Sequence, residues 1–318
     1  MSDETVGTPN RSASQFAGTT SEPPSLAAHW AVATDPSLRR FRLFRLSLHV
    51  VNFLLFVSLC AVVYTAVWEY STRRYLKGFS DAVIPESASA EQQIQAILSW
   101  MSSPVARLTP AFVGNPSDRD PVDTLNYRAL LQVCGTATNA FINLADSGGL
   151  HARRLLLLDP QGRAKHVDAE VLLDGRWIVV DPAFRAILRG ADGKPLIRDQ
   201  LTNPAVFAAA TGNIPKYDPH YTFEKTVHVR IARVKFIGVS LRNTLHFFLP
   251  RWEDSATISL ILERESLAAM MAAITITLFF VLVRILLRWY GEERLGIHSV
   301  RISQRLRRAY QTFLSTSS

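Results

Sequence analysis

The hydropathy pattern along the chain is dominated by two long apolar runs, one towards each end. Leu46–Trp68 contains 23 residues without a formal charge, and Ser266–Val283 contains 18. A helix needs about 20 mostly apolar residues to cross the hydrocarbon core of a bilayer, and both runs meet that length. Buried core helices of soluble proteins are usually shorter and amphipathic. The pattern therefore predicts transmembrane helices at 46–68 and 266–287.

The segment between these runs has the shorter periodicities of a globular domain, which we place at 69–218. Residues 134–147 have helical spacing, with apolar positions at Ala137, Ala140, Phe141 and Leu144, and Gly148-Gly149 ends the helix. Three strand-like segments follow between residues 150 and 182. This order predicts an α+β domain with N-terminal helices and an antiparallel sheet. Residues 219–265 are expected to return the chain to the membrane through a strand and linker.

The formal charge of +8 is concentrated beside the apolar runs. Residues 284–318 hold seven Arg and two Glu, whereas 46–283 hold 23 bases and 21 acids. Because Lys and Arg collect on cytoplasmic flanks, the distribution predicts a two-span protein of the inner (plasma) membrane with both termini cytoplasmic and the domain outside. Residues 1–45 are expected to form a disordered tail with a basic end, and 288–318 a basic amphipathic tail on the membrane. Membrane lipid explains this charge better than nucleic acid, which is not an expected partner.

Two cysteines are present, and they differ in their surroundings. Cys60 lies inside the first apolar run, where it is expected to be an inert small hydrophobe. Cys134 stands where the 134–147 helix begins, followed by Gly135. Helix N-termini favour the thiolate over the thiol, and their free N–H groups can bind an oxyanion. Cys134 is therefore a candidate nucleophile.

The sequence HVDAEVLLDGRWIVVDP, residues 166–182, predicts a β-hairpin that turns at Asp174-Gly175. With a two-residue turn at Asp174-Gly175, the residue numbers of each cross-strand pair add up to 349. Asp168 is therefore expected opposite Asp181. His166 is then the diagonal neighbour of Asp181 on the same face, about 7–8 Å away at Cα and within reach of a side-chain contact. A thiolate, a histidine base and an orienting carboxylate make a complete set for acyl transfer.

The ordered motifs from Cys134 to Pro182 resemble the transglutaminase-like superfamily of papain-type thiol enzymes. They are Cys134-Gly135, the segment 149–153, His166 followed by Glu170-Val171, the Asp-Gly-Arg-Trp of 174–177, and Val180-Asp181-Pro182. The resemblance implies a catalytic triad of Cys134, His166 and Asp181. It further implies a thioester intermediate and a peptide or amide substrate, for which the cell envelope is the expected source.

Several details of the site remain open at the sequence level. The family often has an aromatic residue two positions after the histidine, where this chain has Asp168. Asp168 and Asp181 are then like charges side by side, so either the pKa of one of the two carboxyl groups is raised or Asp168 faces solvent. Asn126 and Tyr127 are candidates for a second oxyanion donor. Trp177 is expected to pack on the sheet and Glu170 to bind backbone.

The expected activity is hydrolysis of an amide, as in a peptidase or amidase. The alternatives are a crosslinking acyltransferase and a catalytically silent scaffold that binds a peptide or envelope component. The histidines are not arranged at metal-ligand spacing, and the sequence contains no glycine-rich phosphate loop, so no metal or other cofactor is expected.

Overall fold

The structure, a computed structural model, describes residues 36–103, 116–229, 247 and 252–295. Its helices are α1 Pro36–Val83, α2 Ala90–Ser102, α3 Pro121–Asn126, α4 Cys134–Ser147, α5 Arg198–Leu201, α6 Pro204–Thr211, α7 Ala256–Glu263 and α8 Glu265–Leu295. Its strands are β1 Ala152–Leu158, β2 Ala164–Leu173, β3 Arg176–Asp181, β4 Ala186–Ile187 and β5 Thr226–Val227. Short 3₁₀ turns occur at Leu130–Gln132 and Trp252–Asp254. The described domain is therefore α+β, as the sequence predicts.

The five strands form one antiparallel sheet in the order β4-β3-β2-β1-β5. The β2–β3 hairpin turns at Asp174 and Gly175, whose φ angles of 48° and 76° fit a two-residue turn with both central residues in the left-handed region. Leu173 pairs with Arg176, and the register continues to Ala169 and Val180. The predicted hairpin register is confirmed.

The sheet is covered on both faces, since each face carries its own apolar cluster. The first cluster joins helices α1 to α4 to the face that carries Ala169, Val171 and Val180. The second covers the opposite face with residues from the segment after β3, including Leu188, Leu201, Phe207 and Phe223. His166, Asp168 and Glu170 alternate with the first set along β2 and therefore lie on the second face.

The α4 helix is the central helix of the first cluster. Its residues from Thr136 to Ala145 are all buried, including the predicted stripe that contains Phe141 and Leu144. The helix ends before Gly148. The next residue, Gly149, has a φ of 87°, a backbone conformation that is strained for residues other than glycine. Cys134 is the first helical residue, as predicted.

Two helices have the length and composition to cross a membrane. Residues Arg40–Val83 and Glu265–Leu295 reach mean hydropathies of 2.3 and 2.5 in their most apolar windows. Only 17% and 6% of the residues in those windows are buried, which separates these helices from the core helix of a soluble domain. Large apolar side chains such as Phe53, Val63 and Leu278 are more than 60% exposed. This exposure indicates membrane association.

The chain divides into two units. One comprises the described residues up to Leu54 and those from Leu282, and in it the ring of Phe44 lies against Gly291. The other comprises Leu55–Val281 and contains the sheet.

Several predicted boundaries differ from the structure. Helix α1 begins at Pro36, so residues 36–45 are helical and not a disordered tail; proline suits the first turn of a helix, and the Arg and Leu residues that follow are good helix formers. At its other end α1 continues past Trp68 into the domain, where Leu76 joins the first cluster. Helix α8 likewise extends beyond 266–287. The predicted tail at 1–35, the strand beyond residue 229 and the amphipathic segment at 296–318 lie outside the described residues.

Candidate active site

The thiol of Cys134 is half-buried at the N-terminus of α4. Val133 caps the helix without a side-chain hydrogen bond, so the first N–H groups of the helix are not capped by that side chain. The pKa of the thiol is lowered, chiefly because His166 hydrogen-bonds to it; burial opposes this shift, and the backbone N–H groups of Gly135 and Val167 add to it. The environment therefore favours the thiolate.

His166 and Asp181 are in direct contact. Nε2 of the ring lies 2.8 Å from Oδ2 of Asp181, and both side chains are buried. The second oxygen of Asp181, Oδ1, accepts hydrogen bonds from the backbone N–H groups of Ala183 at 2.9 Å and Phe184 at 3.0 Å. This turn after β3 fixes the carboxylate, so that Oδ2 faces the ring.

The ring of His166 interacts with the Cys134 thiol as well as with carboxylates. Its Nε2 is the atom that lies against Asp181, and the thiol is a further hydrogen-bond partner of the ring. Burial disfavours the charged ring, but hydrogen bonds to Asp168, Asp181 and Cys134 outweigh it and raise the pKa of His166 well above its ordinary value. The structure thus brings all three predicted site residues, Cys134, His166 and Asp181, into one hydrogen-bonded chain.

Asp168 is a second carboxyl group at the same histidine. Its Oδ1 lies 3.1 Å from His166 Nε2, and the side chain is fully buried. Burial, followed by the negative charge of Asp181, raises the pKa of Asp168 to about 8. Of the two alternatives for this residue, the solvent-facing one is wrong and the raised pKa agrees with the structure.

An aromatic cage surrounds His166, and nothing in the local sequence pattern indicated it. Tyr221 stacks on the ring with centroids 4.4 Å apart and planes 13° from parallel. Phe184 and Tyr217 complete the cage at 5.8 and 6.2 Å. Burial and the nearby charges of Asp168 and Asp181 raise the pKa of Tyr217, so its hydroxyl keeps its proton. The cage limits ring rotation and access of water to the imidazole.

Two further contacts hold the three elements of the site together. The hydroxyl of Thr138, on α4, donates to the carbonyl of Val167 at 2.9 Å and so joins the cysteine helix to the histidine strand. The guanidinium of Arg185 donates to the carbonyls of Leu131 and Ala183, at 2.6 Å each, and also to that of Pro182. Arg185 therefore ties the turn before Cys134 to the turn after Asp181.

The other expectations for the site have mixed outcomes. The side-chain amide of Asn126 donates to the hydroxyl of Tyr75 at 2.9 Å and to the carbonyl of Val122 at 2.7 Å, so it is not directed at the thiol. Tyr127 follows as the residue that caps the end of α3. Neither residue is assigned here as an oxyanion donor.

Glu170 has a different role from the one predicted. Its Oε2 accepts hydrogen bonds from the side chains of Arg153 at 2.7 Å and His228 at 2.8 Å, and among the described residues its partners are side chains, not backbone groups. Trp177 contacts the same network, because the Arg153 guanidinium lies 4.0 Å from the centre of its ring. Arg153 on β1 and Glu170 on β2 are directly opposite each other in the sheet, which brings the two charged side chains together.

His166, Asp168 and Asp181 also form a set of metal-type ligands, with one ligand atom each and all of these atoms within 4.8 Å of one another. One imidazole and two carboxylates suit a divalent cation, and their spacing in the sequence did not suggest such a set. No family model, curated protein or solved structure matches the chain.

Proposed function

We propose that this protein is a membrane-anchored thiol enzyme of the transglutaminase-like type that cleaves an amide bond through Cys134, His166 and Asp181. The observation that carries the proposal is the hydrogen-bonded chain from the Cys134 thiol through the His166 ring to the buried Asp181 carboxylate. The N-terminus of helix α4 beside the thiol gives further support to the proposal, because its N–H groups can bind the oxyanion of a tetrahedral intermediate.

The chemistry follows from these positions. His166 takes the thiol proton, and the Cys134 thiolate adds to the amide carbonyl carbon. As the C–N bond breaks, the imidazolium gives its proton to the leaving amine, and a thioester remains on Cys134. Neutral His166 then takes a proton from water as the water oxygen adds to the thioester. The acid product leaves, and the thiol is regenerated.

The resemblance to the transglutaminase-like superfamily is consistent with the local architecture. Support comes from a helix that opens on Cys134-Gly135 and from the antiparallel hairpin that carries His166, the Asp174-Gly175 turn and Asp181. Asp168, in place of the family's frequent aromatic residue, distinguishes this chain.

We further propose that the domain is extracytoplasmic and that its substrate is a peptide or amide of the cell envelope. Support comes from the position of the domain between two apolar helices and from the arginines beside those helices. Single cysteines placed at the domain surface in a Cys60→Ser, Cys134→Ser background are expected to react with a membrane-impermeant maleimide in intact cells. Reaction only after lysis would place the domain in the cytoplasm.

Capture of the acyl-enzyme tests the proposed reaction. Full-length protein in detergent, with Cys60 replaced by Ser, is mixed with envelope peptides and quenched in acid, and the peptide that contains Cys134 is analysed by mass spectrometry. The expected result is a thioester adduct on Cys134 whose mass identifies the acyl group. His166→Ala is expected to lack the adduct; an equal yield in both proteins would contradict the proposal.

A further inference from the structure

A second pocket lies on the sheet, nearer than the candidate triad to the turn of the β2–β3 hairpin. It has a volume of about 220 Å³, and Glu170 of β2 and Trp177 of β3 are among the residues that line it. Glu170 is four residues from His166, which corresponds to about 13 Å along a strand. The residues of the triad and of its aromatic cage do not line this pocket.

One wall of the pocket is a buried guanidinium group in a fixed position. Arg153 is 8% exposed, and its Nε and Nη2 both lie 2.7 Å from Oε2 of Glu170. Its Nη1 donates to the carbonyl of Asp254 at 2.6 Å, and its Cζ lies 4.0 Å from the centre of the Trp177 ring. A guanidinium group held by hydrogen bonds and by an aromatic face has little freedom to move. Arg153 and Glu170 therefore neutralise each other and give the pocket a rigid wall.

Two further arginines line the pocket, and their guanidinium groups are accessible to a ligand. Arg176 is exposed, and its side chain has no ion-pair partner in the part of the chain that the structure describes. Arg198 contacts Asp199 at 3.4 Å, and the two side chains are 36% and 77% exposed. Exposed ion pairs of this kind are weak, so a ligand can replace Asp199 at little cost in free energy.

The charge of the lining residues suits a single carboxylate. Three arginines and two acidic residues line the pocket, which leaves a formal charge of +1. One carboxylate restores neutrality, whereas a phosphate monoester carries about −1.5 to −2 at pH 7 and would be repelled by Glu170 and Asp199. The fork of a guanidinium group also matches the two oxygens of a carboxylate. The lining therefore favours a carboxylate over a phosphate monoester.

The size and the apolar part of the pocket indicate a short side chain. A volume of about 220 Å³ holds roughly seven water molecules, whereas sites for whole ligands have volumes of about 300–1,000 Å³. Ile197 and Trp177 line the pocket beside the arginines and offer apolar contact to methylene groups. An acidic side chain fits both parts, because its carboxylate reaches a guanidinium group while its stem contacts the apolar residues.

We propose that this pocket binds an aspartate or glutamate side chain of a peptide ligand. Arg176 and Arg198 donate to the carboxylate, and Trp177 contacts the stem of the side chain. This binding site goes beyond the proposed reaction, because it is separate from the candidate triad. The choice of a peptide as the carrier rests on the proposed function, whereas the choice of a carboxylate rests on the charge and size of the pocket.

Peptide binding to the full-length protein in detergent tests this site. The probes are two pentapeptides with blocked ends, which have a central glutamate or a central glutamine between alanines. Their affinities are measured by saturation-transfer NMR, which detects weak ligands, in a Cys134→Ser background that cannot form an acyl-enzyme. The glutamate peptide is expected to bind at least about tenfold more tightly, because it makes charge-assisted hydrogen bonds. Equal affinities of the two peptides overturn the proposal.

Substitutions of the lining residues assign the binding to this pocket. Arg176→Met and Arg198→Met are each expected to weaken binding of the glutamate peptide about tenfold. Arg163→Met is the matched control, because Arg163 is 68% exposed and pairs with Asp159 outside the pocket. Asp199→Asn removes a competing carboxylate and is expected to strengthen binding about two- to fivefold. Equal affinities of the Arg176 and Arg163 variants, or weaker binding by Asp199→Asn, overturn the proposal.

Competition distinguishes the carboxylate from other anions. Acetate is expected to displace the glutamate peptide at lower concentrations than inorganic phosphate or micelles that contain phosphatidylglycerol. The reverse order assigns the pocket to phosphate groups and overturns the proposal. Failure of the proposed function is detected separately, because a missing thioester on Cys134 contradicts the enzyme and leaves the binding result unchanged. A thioester together with equal binding of the two peptides contradicts the pocket alone.

Discussion

At the scale of single residues, the Asp168–Asp181 pair ties the stability of the domain to pH. The native state keeps a proton on Asp168 up to a pKa of about 8, because the group is buried beside the charge of Asp181. An unfolded aspartate loses its proton at about 3.9. Between these values the native state binds more protons than the unfolded state, so the contribution of Asp168 to stability falls as the pH rises.

Asp168→Asn is therefore expected to flatten the pH dependence of stability. Relative to the variant, the wild type should lose up to about 1.4 kcal/mol of unfolding free energy per pH unit between the two pKa values. Urea unfolding of the full-length protein in detergent at a series of pH values measures this difference. Asp218→Asn is the matched control, because Asp218 lies at the exposed surface and its pKa is lowered by hydrogen bonds to His220. Parallel curves for wild type and Asp168→Asn would contradict the raised pKa of Asp168.

At the scale of elements, the β2–β3 hairpin determines which side chains meet. Its turn residues have positive φ, which fixes a two-residue connection and hence the pairing of Ala169 with Val180. A shift of the register by one residue would move His166 to the opposite face of the sheet from Asp181. The position of the imidazole thus depends on the conformation of Asp174 and Gly175.

Gly175→Ala is expected to weaken this hairpin through backbone strain alone. A Cβ at Gly175 would meet no atom within 4 Å, but its φ of 76° costs an L residue about 1–2 kcal/mol. Gly78→Ala is the control, because Gly78 also has open space and lies within a helix, where alanine is favoured. Unfolding free energies should fall in the first variant and not in the second. Equal changes would show that the strain is absent.

Elements with local signals were predictable from the sequence, and contacts between distant elements were not. The hairpin, the start of α4 at Cys134 and the meeting of His166 with Asp181 follow from turn residues, periodicity and register. Stacking of Tyr221 on His166 and the bond from Arg185 to Leu131 join segments 55 and 54 residues apart, and no local pattern encodes them. The same holds for Glu170, whose partner His228 is 58 residues away.

At the scale of the whole molecule, a buried polar network connects the cysteine helix to the ends of the two apolar helices. Arg264, between α7 and α8, is 1% exposed and bonds to Asn143 at 2.8 Å, Asp146 at 2.9 Å and Glu69 at 3.3 Å. The hydroxyl of Ser266 donates to Glu69 at 2.7 Å. Helices α1, α4 and α8 are thus joined within one unit, beside the core that supports Cys134.

Arg264→Met is expected to destabilise the domain strongly. Removal of one partner leaves Glu69 and Asp146 without their shared cation, and breaking a buried ion pair costs about 3–5 kcal/mol. Arg198→Met removes an exposed pair with Asp199 and should change stability by less than about 0.5 kcal/mol. The addition of Glu69→Gln to Arg264→Met should recover part of the loss. Equal stability of the two arginine variants would show that the buried network contributes nothing.

The measurement that tests the central claim most directly is the alkylation rate of Cys134 as a function of pH. In a Cys60→Ser background Cys134 is the remaining cysteine, so uptake of iodoacetamide reports its thiolate. The expected wild-type profile reaches its reactive plateau well below the ordinary thiol pKa of about 8.5. In His166→Ala, alkylation should require pH values near that ordinary pKa. A wild-type profile that matches His166→Ala would contradict the assignment of Cys134 and His166 as a nucleophile and its base.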